Sequence, residues 1–223
     1  MTTENPSFGQ RLQPHVPTIL FGVSAVLWVA LSYFKLIAWS GLQQIAGAAI
    51  MVVYILWLLL ESKVSTAEAG KGHTQKDKGT LEYYALGRIA TVTAALALPT
   101  MWTEFNEFAI AGIALFVAGI VWRLVAIRTL GKFYSHRVRQ VSGHTIVNTG
   151  PYRFMRHPAY TGMLISHLGF ILFFYNHIAL ALLIVFFIPT VVARILVEEK
   201  MLFEIEGYKE FAQGRARLLP FVW

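Results

Sequence analysis

The sequence predicts an all-α fold, a polytopic membrane helical bundle of about six transmembrane helices ending in a C-terminal helical hairpin. Three observations predict it. Hydrophobic residues make up 56% of the 223 residues and charged ones only 14%, against about 25% charged in an ordinary soluble domain. The apolar residues come in long unbroken runs. When six spans are drawn, every lysine and arginine except Lys35 falls on one side of the membrane, an asymmetry that five or seven spans would spoil.

Residues 16–34 are uncharged over 19 positions, about enough to cross a hydrocarbon core of roughly 30 Å. The preceding MTTENPSFGQRLQPH has one arginine and two prolines, and no small-residue cleavage site follows the first run. That run therefore reads as a retained span rather than a signal peptide. A break at Ser40-Gly41 puts the second span at 41–60. The linker ESKVSTAEAGKGHTQKDKGT, within 61–82, is polar and mixed in charge. Its GKGHT lacks the G-x-x-x-x-G-K spacing of a phosphate loop.

The third span covers 83–101, with Arg88 near one end and Pro99 near the other; the fourth covers 108–129, with Arg123 and Arg128 in its last turns. These arginines are expected to snorkel to the interface. From His157 to Ala193 no Asp, Glu, Lys or Arg occurs over 37 residues, which as one helix would extend about 55 Å. The chain must fold back, and Tyr175-Asn176-His177 is the expected turn. The chain thus reads as one integrated domain in two parts: a four-span region, 1–128, with its linker, and a C-terminal region, 129–223.

The positive-inside rule then places both termini, the linker and segment 129–157 in the cytoplasm. A formal charge of +7 with pI near 9.7 fits cytoplasmic loops facing anionic lipid, and no basic run with interleaved aromatics points to nucleic acid. The chain has no cysteine, which excludes disulfide frameworks, thiol nucleophiles and zinc knuckles. No metal site and no oligomeric state is implied.

The polar residues gather in LGKFYSHRVRQVSGHTIVNTGPYRFMRHPAYTG after the fourth span and RILVEEKMLFEIEGYKEFAQGRARLLPFVW after the sixth. The fold-back makes these segments neighbours. His157 and Tyr160 share a helical face, with Pro158 in the first turn, where its missing N–H costs nothing. Taken singly, Arg156 and Tyr160 fit an interfacial belt, Glu198-Glu199 fits a solvated face, and His144 fits a loop. Their conjunction at both ends of one hairpin fits a pocket for a charged ligand better.

The run HTIVNTGPYRFMRHPAYTG, then Glu198-Glu199, then YKEF and LLPFVW, resembles the isoprenylcysteine carboxyl methyltransferase family and its phospholipid methyltransferase relatives over about residues 130–223. The resemblance implies an all-helical membrane enzyme with cytoplasmic cofactor-binding segments, which binds S-adenosylmethionine and methylates a lipid-linked acceptor. It implies a cofactor pocket formed by His144, Val147, Gly150, Tyr152, His157, Pro158, Tyr160 and Gly162, closed by Glu198 and Glu199. Carboxylates and aromatic rings suit the sulfonium and ammonium of that cofactor, and histidine and arginine suit its carboxylate. A carboxylate acceptor needs alignment rather than a base. Arg156 is the first choice to hold it and Arg215 the second.

The family tail usually reads Y-x-x-Y-x-x-R, whereas here Tyr208 is followed by Phe211 and Gly214, then Arg215 and Arg217. The expected acceptor is a prenylcysteine-like or other lipophilic carboxylate entering sideways from the bilayer. A lipid amine, for which Glu198 or His157 would supply a base, or a small thiol are the alternatives. Membrane sterol reductases resemble the same half but tend to carry an aspartate after the His-x-x-Tyr pair, where this chain has TGMLISH. A transporter would place ionisable groups near the midplane or break helices in paired positions, and Pro99 and Pro189 are in no repeat relation.

Overall fold

The structure, a computed structural model, describes residues 16–69, 79–134, 146–220 and 223, and among these every regular element is helical. Helix α1 is Val16–Ile37 and α2 is Gly41–Ala69. The second outruns its apolar part, Gly41–Glu61, because the residues that follow include the good helix formers Glu, Lys and Ala. Helix α3, Thr80–Ala97, starts after Gly79 at φ 77° and ends at Leu98, extended because Pro99 disfavours a helical residue before it. Helix α4, Glu107–Leu130, is capped by Asn106, whose side chain accepts from Ala109 N at 2.9 Å.

Helix α5, Pro158–Phe173, carries its proline at the first position. The expected turn at Tyr175-Asn176-His177 is present: Asn176 accepts from Ala179 N at 2.8 Å and opens α6, His177–Leu182. A π-helical turn, Leu183–Phe187, leads into α7, Ile188–Leu202. Pro189 lies just past it, and its ring would crowd the carbonyl of Val185 in an unbroken α-helix. A short helix α8, Tyr208–Ala212, follows Gly207 at φ 81°.

Three stretches are long and apolar enough to cross a membrane, Gly41–Glu61, Glu107–Leu130 and the continuous His177–Leu202, with shorter apolar helices at Gly22–Ile37 and Pro158–Phe173. Val23, Val26, Val185 and other large apolar side chains face outward, as a lipid-solvated surface requires. The interior packs Trp28, Tyr54, Trp57, Phe116, Phe170 and Phe187, all essentially inaccessible.

The closest helix pair is α4 with α5, which meet almost backbone to backbone. Gly112 and Gly119 on one face Gly169 and Gly162 on the other, seven residues apart in each helix. A Cβ on Gly162 would lie 2.6 Å from Arg123 N, and one on Gly112 2.8 Å from Phe173 N. Small residues at this spacing let two membrane helices gain dispersion contacts that side chains would prevent. The seam fixes how the polar end of α5 stands against α4.

One expectation is overturned here. Arg123 does not snorkel: it is 3% exposed and turned inward, where its Nε donates to Glu61. Its terminal nitrogens donate to Ala159 O at 2.9 Å and Tyr134 Oη at 3.1 Å. Trp57 Nε1 donates to the same Glu61 oxygen at 2.8 Å. A paired guanidinium inside the bundle avoids the cost that would drive a lone one outward. Arg128 remains exposed.

Candidate active site

Segment 146–157 crosses the end of α4 before entering α5. Gly150, at φ 55°, begins a 3-10 turn, Gly150–Arg153, and any side chain there would press on Thr129. The C-terminal tail then lies alongside. Arg156 N donates to Ala216 O and His157 N to Arg217 O, both at 2.9 Å. Thr161 Oγ1 donates to Leu218 O at 2.7 Å. Two distant stretches of chain are thereby stitched at the foot of α5.

Glu199 ties the same stitch electrostatically. It is 3% exposed, and it accepts from Arg156 Nη1 at 2.8 Å and from Arg217 Nε at 2.7 Å, with His157 Nε2 3.3 Å away. Its neighbour Glu198 points elsewhere. Tyr160 Oη donates to Glu198 at 2.9 Å, Arg194 Nε donates to Tyr160 Oη at 2.9 Å, and Arg194 Nη1 reaches Thr80 Oγ1 at 3.2 Å. Adjacent positions on α7 are about 100° apart, so one carboxylate clamps the tail while the other faces a recess.

That recess measures about 990 Å³, mouth included. Ile146, Val147 and Tyr152 line it together with Met201, Leu202, Tyr208 and Phe211. Leu81, Tyr84, Arg123, Leu130 and Tyr134 line it from α3, α4 and the turn beyond, while Arg156, His157, Tyr160, Arg194 and Glu198 add polar groups. Burial pushes the phenols of Tyr134, Tyr152 and Tyr208 well above the ordinary tyrosine range, and the Glu198 carboxylate adds to the shift at Tyr152. These tyrosines are neutral donors, not bases, across the physiological range.

Of the site residues expected from sequence, Val147, Tyr152, Arg156, His157, Tyr160 and Glu198 share this recess. His144 lies outside the described residues. Gly150 and Pro158 shape the backbone at the turn and at the start of α5, and Gly162 belongs to the α4–α5 seam. Glu199 stands behind the wall. Arg215 is turned away: it stacks on Phe211 at 4.5 Å, with Nε on Arg153 O at 3.2 Å and Nη1 on Phe211 O. Arg217 is held by Glu199 and stacks on Trp223 at 4.8 Å. Neither lines the recess. Sequence reasoning missed Arg123, Arg194, Tyr84 and Tyr134. For the two arginines the signal was present, an ionisable residue inside an apolar span.

Comparison with known proteins gives the family. The profile of the isoprenylcysteine carboxyl methyltransferase (ICMT) family matches residues 112–204, which carry the seam, the foot of α5 and both glutamates. Protein-S-isoprenylcysteine O-methyltransferase B of Arabidopsis thaliana is 30% identical over 152 residues, 63% of this chain and 75% of that protein. The corresponding Saccharomyces cerevisiae protein is 32% identical over 117 residues, 51% of this chain and 49% of its own. The solved structure of the eukaryotic intramembrane Ras methyltransferase ICMT shares the fold, with TM-score 0.53 and 20% identity, covering 93% of this chain and 76% of that one. This chain therefore belongs to the isoprenylcysteine carboxyl methyltransferase family and is an integral membrane methyltransferase.

Proposed function

We propose that the protein transfers a methyl group from S-adenosylmethionine to the carboxylate of a prenylcysteine-like or other lipophilic acceptor. The observation that carries this reading is the set of guanidinium donors gathered in the recess. Three guanidiniums, Arg123, Arg156 and Arg194, line it beside the single carboxylate of Glu198. Glu61 and Glu199 balance Arg123 and Arg156 from behind the wall, so it is the unspent guanidinium N–H groups, not net charge, that favour an anionic acceptor over a lipid amine.

The donor set suits the methyl donor. Glu198 with the rings of Tyr152 and Tyr208 matches a sulfonium and an ammonium, Arg156 or Arg194 a carboxylate, and Val147, Met201 and Leu202 an apolar base and sugar face. When bound, S-adenosylmethionine supplies a methyl group activated by its positive sulfur. The protein's part is to exclude water and to hold the acceptor in line.

Arg123 is the best placed residue for that. Three of its five N–H groups are engaged by Glu61, Ala159 and Tyr134, which leaves one on each terminal nitrogen for the two oxygens of a carboxylate. It replaces Arg156 as first choice because it is buried and held on three sides within the bundle, whereas Arg156 belongs to the clamp on the tail through Glu199 and Arg215 O. No general base is required.

The chain crosses the membrane six times in this reading, with both termini and the recess in the cytoplasm. The basic residues support it, since Lys35 alone lies at the far end, where its Nζ donates to Leu98 O at 2.7 Å. The test is label transfer from S-adenosylmethionine to prenylated N-acetylcysteine, followed by alkali. Release of labelled methanol is expected; a base-stable product or no transfer overturns the proposal.

A further inference from the structure

Arg88 of α3 takes no part in the site just described, and among the described residues its buried guanidinium Nε is left without a partner. It stands four residues past Tyr84, one helical turn deeper on the same face as the recess-lining Leu81 and Tyr84. Its guanidinium rests 5.8 Å from the centre of the Tyr84 ring. Its Nε is buried and has no hydrogen-bond partner. Among the described residues no carboxylate pairs with it.

The contrast with its neighbours is specific. Arg123 donates three hydrogen bonds and Arg194 reaches both Tyr160 and Thr80. Tyr54, Tyr84, His167, Glu61 and Arg123 are the titratable groups that interact with Arg88. The acid among them, Glu61, is already bound by Arg123 and Trp57. The helices therefore surround more positive than negative charge at this depth, and an unpaired guanidinium in a membrane bundle marks a ligand path. Arg88 is also only half-buried. A group arriving along the side of α3 can reach it while its Nε faces inward.

Taking the proposed carboxylate chemistry as its premise, we propose that Arg88 is an acceptor-recognition residue. It receives the carboxylate of the lipophilic acceptor as that group passes from the bilayer between the helices, and hands it to Arg123. Tyr84, in contact with Arg88 and with its hydroxyl on Met163 Sδ, lies between that entry point and the recess. Arg88 thus selects for an acid at the entrance, whereas Arg123 aligns it at the reacting end.

The experiment uses the full chain in lipid nanodiscs, with Arg88→Gln and Arg88→Lys variants. It measures methyl-transfer kinetics on prenylated N-acetylcysteine, S-adenosylmethionine affinity by calorimetry, and inhibition by the acceptor's carboxamide. In Arg88→Gln, KM for the acid is expected to rise about tenfold or more, with kcat and donor affinity nearly unchanged. Preference for acid over carboxamide should fall by a similar factor, and Arg88→Lys should recover part of both. If Arg88→Gln does not fold, Arg88→Lys decides, because loss of the planar fork should raise KM without moving kcat. Unchanged KM and unchanged acid preference overturn the role of Arg88 while the methyltransferase reading stands. Wild-type protein that methylates no prenylated acid overturns both.

Discussion

The two ends of α5 are held by opposite physics. Along its length α5 meets α4 through glycines, with the backbones in contact and no room for a side chain at those four positions. At its foot, Arg156, His157 and Thr161 are bound to the tail and to Glu199 by charge and hydrogen bonds. The seam is fixed by shape and does not depend on ionic conditions. The foot is fixed by groups that also border the recess, so its integrity and ligand binding are coupled.

The sharpest way to break the comparison is Gly119→Leu. Its side chain has nowhere to go but into the Ser166 backbone, and the helices must separate. A loss above about 4 kcal/mol is expected, seen as failure to recover monodisperse protein. Glu199→Gln should come next, at about 3 kcal/mol, because Arg156 and Arg217 lose their shared counter-charge. Thermal unfolding in detergent should show a lower midpoint together with weakened donor binding. A midpoint equal to wild type would remove Glu199 from the role of clamp.

Arg123→Lys should spare donor affinity yet reduce kcat/KM by about 30-fold, roughly 2 kcal/mol, since a point charge cannot serve Glu61, Ala159 and a carboxylate at once. Steady-state kinetics beside calorimetry separates these effects. The smallest change is expected from Arg215→Ala. Its contacts are to main-chain oxygens and to the outer side of the Phe211 ring, so stability should fall by less than about 1 kcal/mol and turnover should hold. A large loss of turnover there would restore the tail arginine to the acceptor site.

Much of the fold was legible because helix ends are written locally. Asn106, Asn176, Pro99, Pro158 and Gly41 each act on their own residue or the next turn, and the expected turn at 175–177 is present. The direction of an interior arginine is not local. Arg123 turns inward because of Glu61, 62 residues earlier, and Arg217 is held away from the recess by Glu199, 18 residues before it. The glutamate pair was legible as a motif, but its division into one clamp and one recess-facing carboxylate depends on the azimuth of α7. Gly162 was assigned to the pocket on the resemblance, and a glycine in the sequence does not show that the α4 backbone approaches it.

The π turn at Leu183–Phe187 determines that azimuth. A π turn holds one residue more than an α turn, so every position beyond it is shifted in phase by about 100° relative to an uninterrupted helix. The apolar residues before the turn and the polar residues after it consequently address different neighbours from a single rod. Phe187, the last residue of the turn, packs on Tyr84 and His167, while Arg194 and Glu198 beyond it reach Tyr160. Removing one residue from the turn would leave the span long enough to cross the bilayer and would swing both charged groups a quarter-turn off the recess. Pro189, which at first reads only as a helix breaker, thus acts as the indexing mark for the charged half of the site.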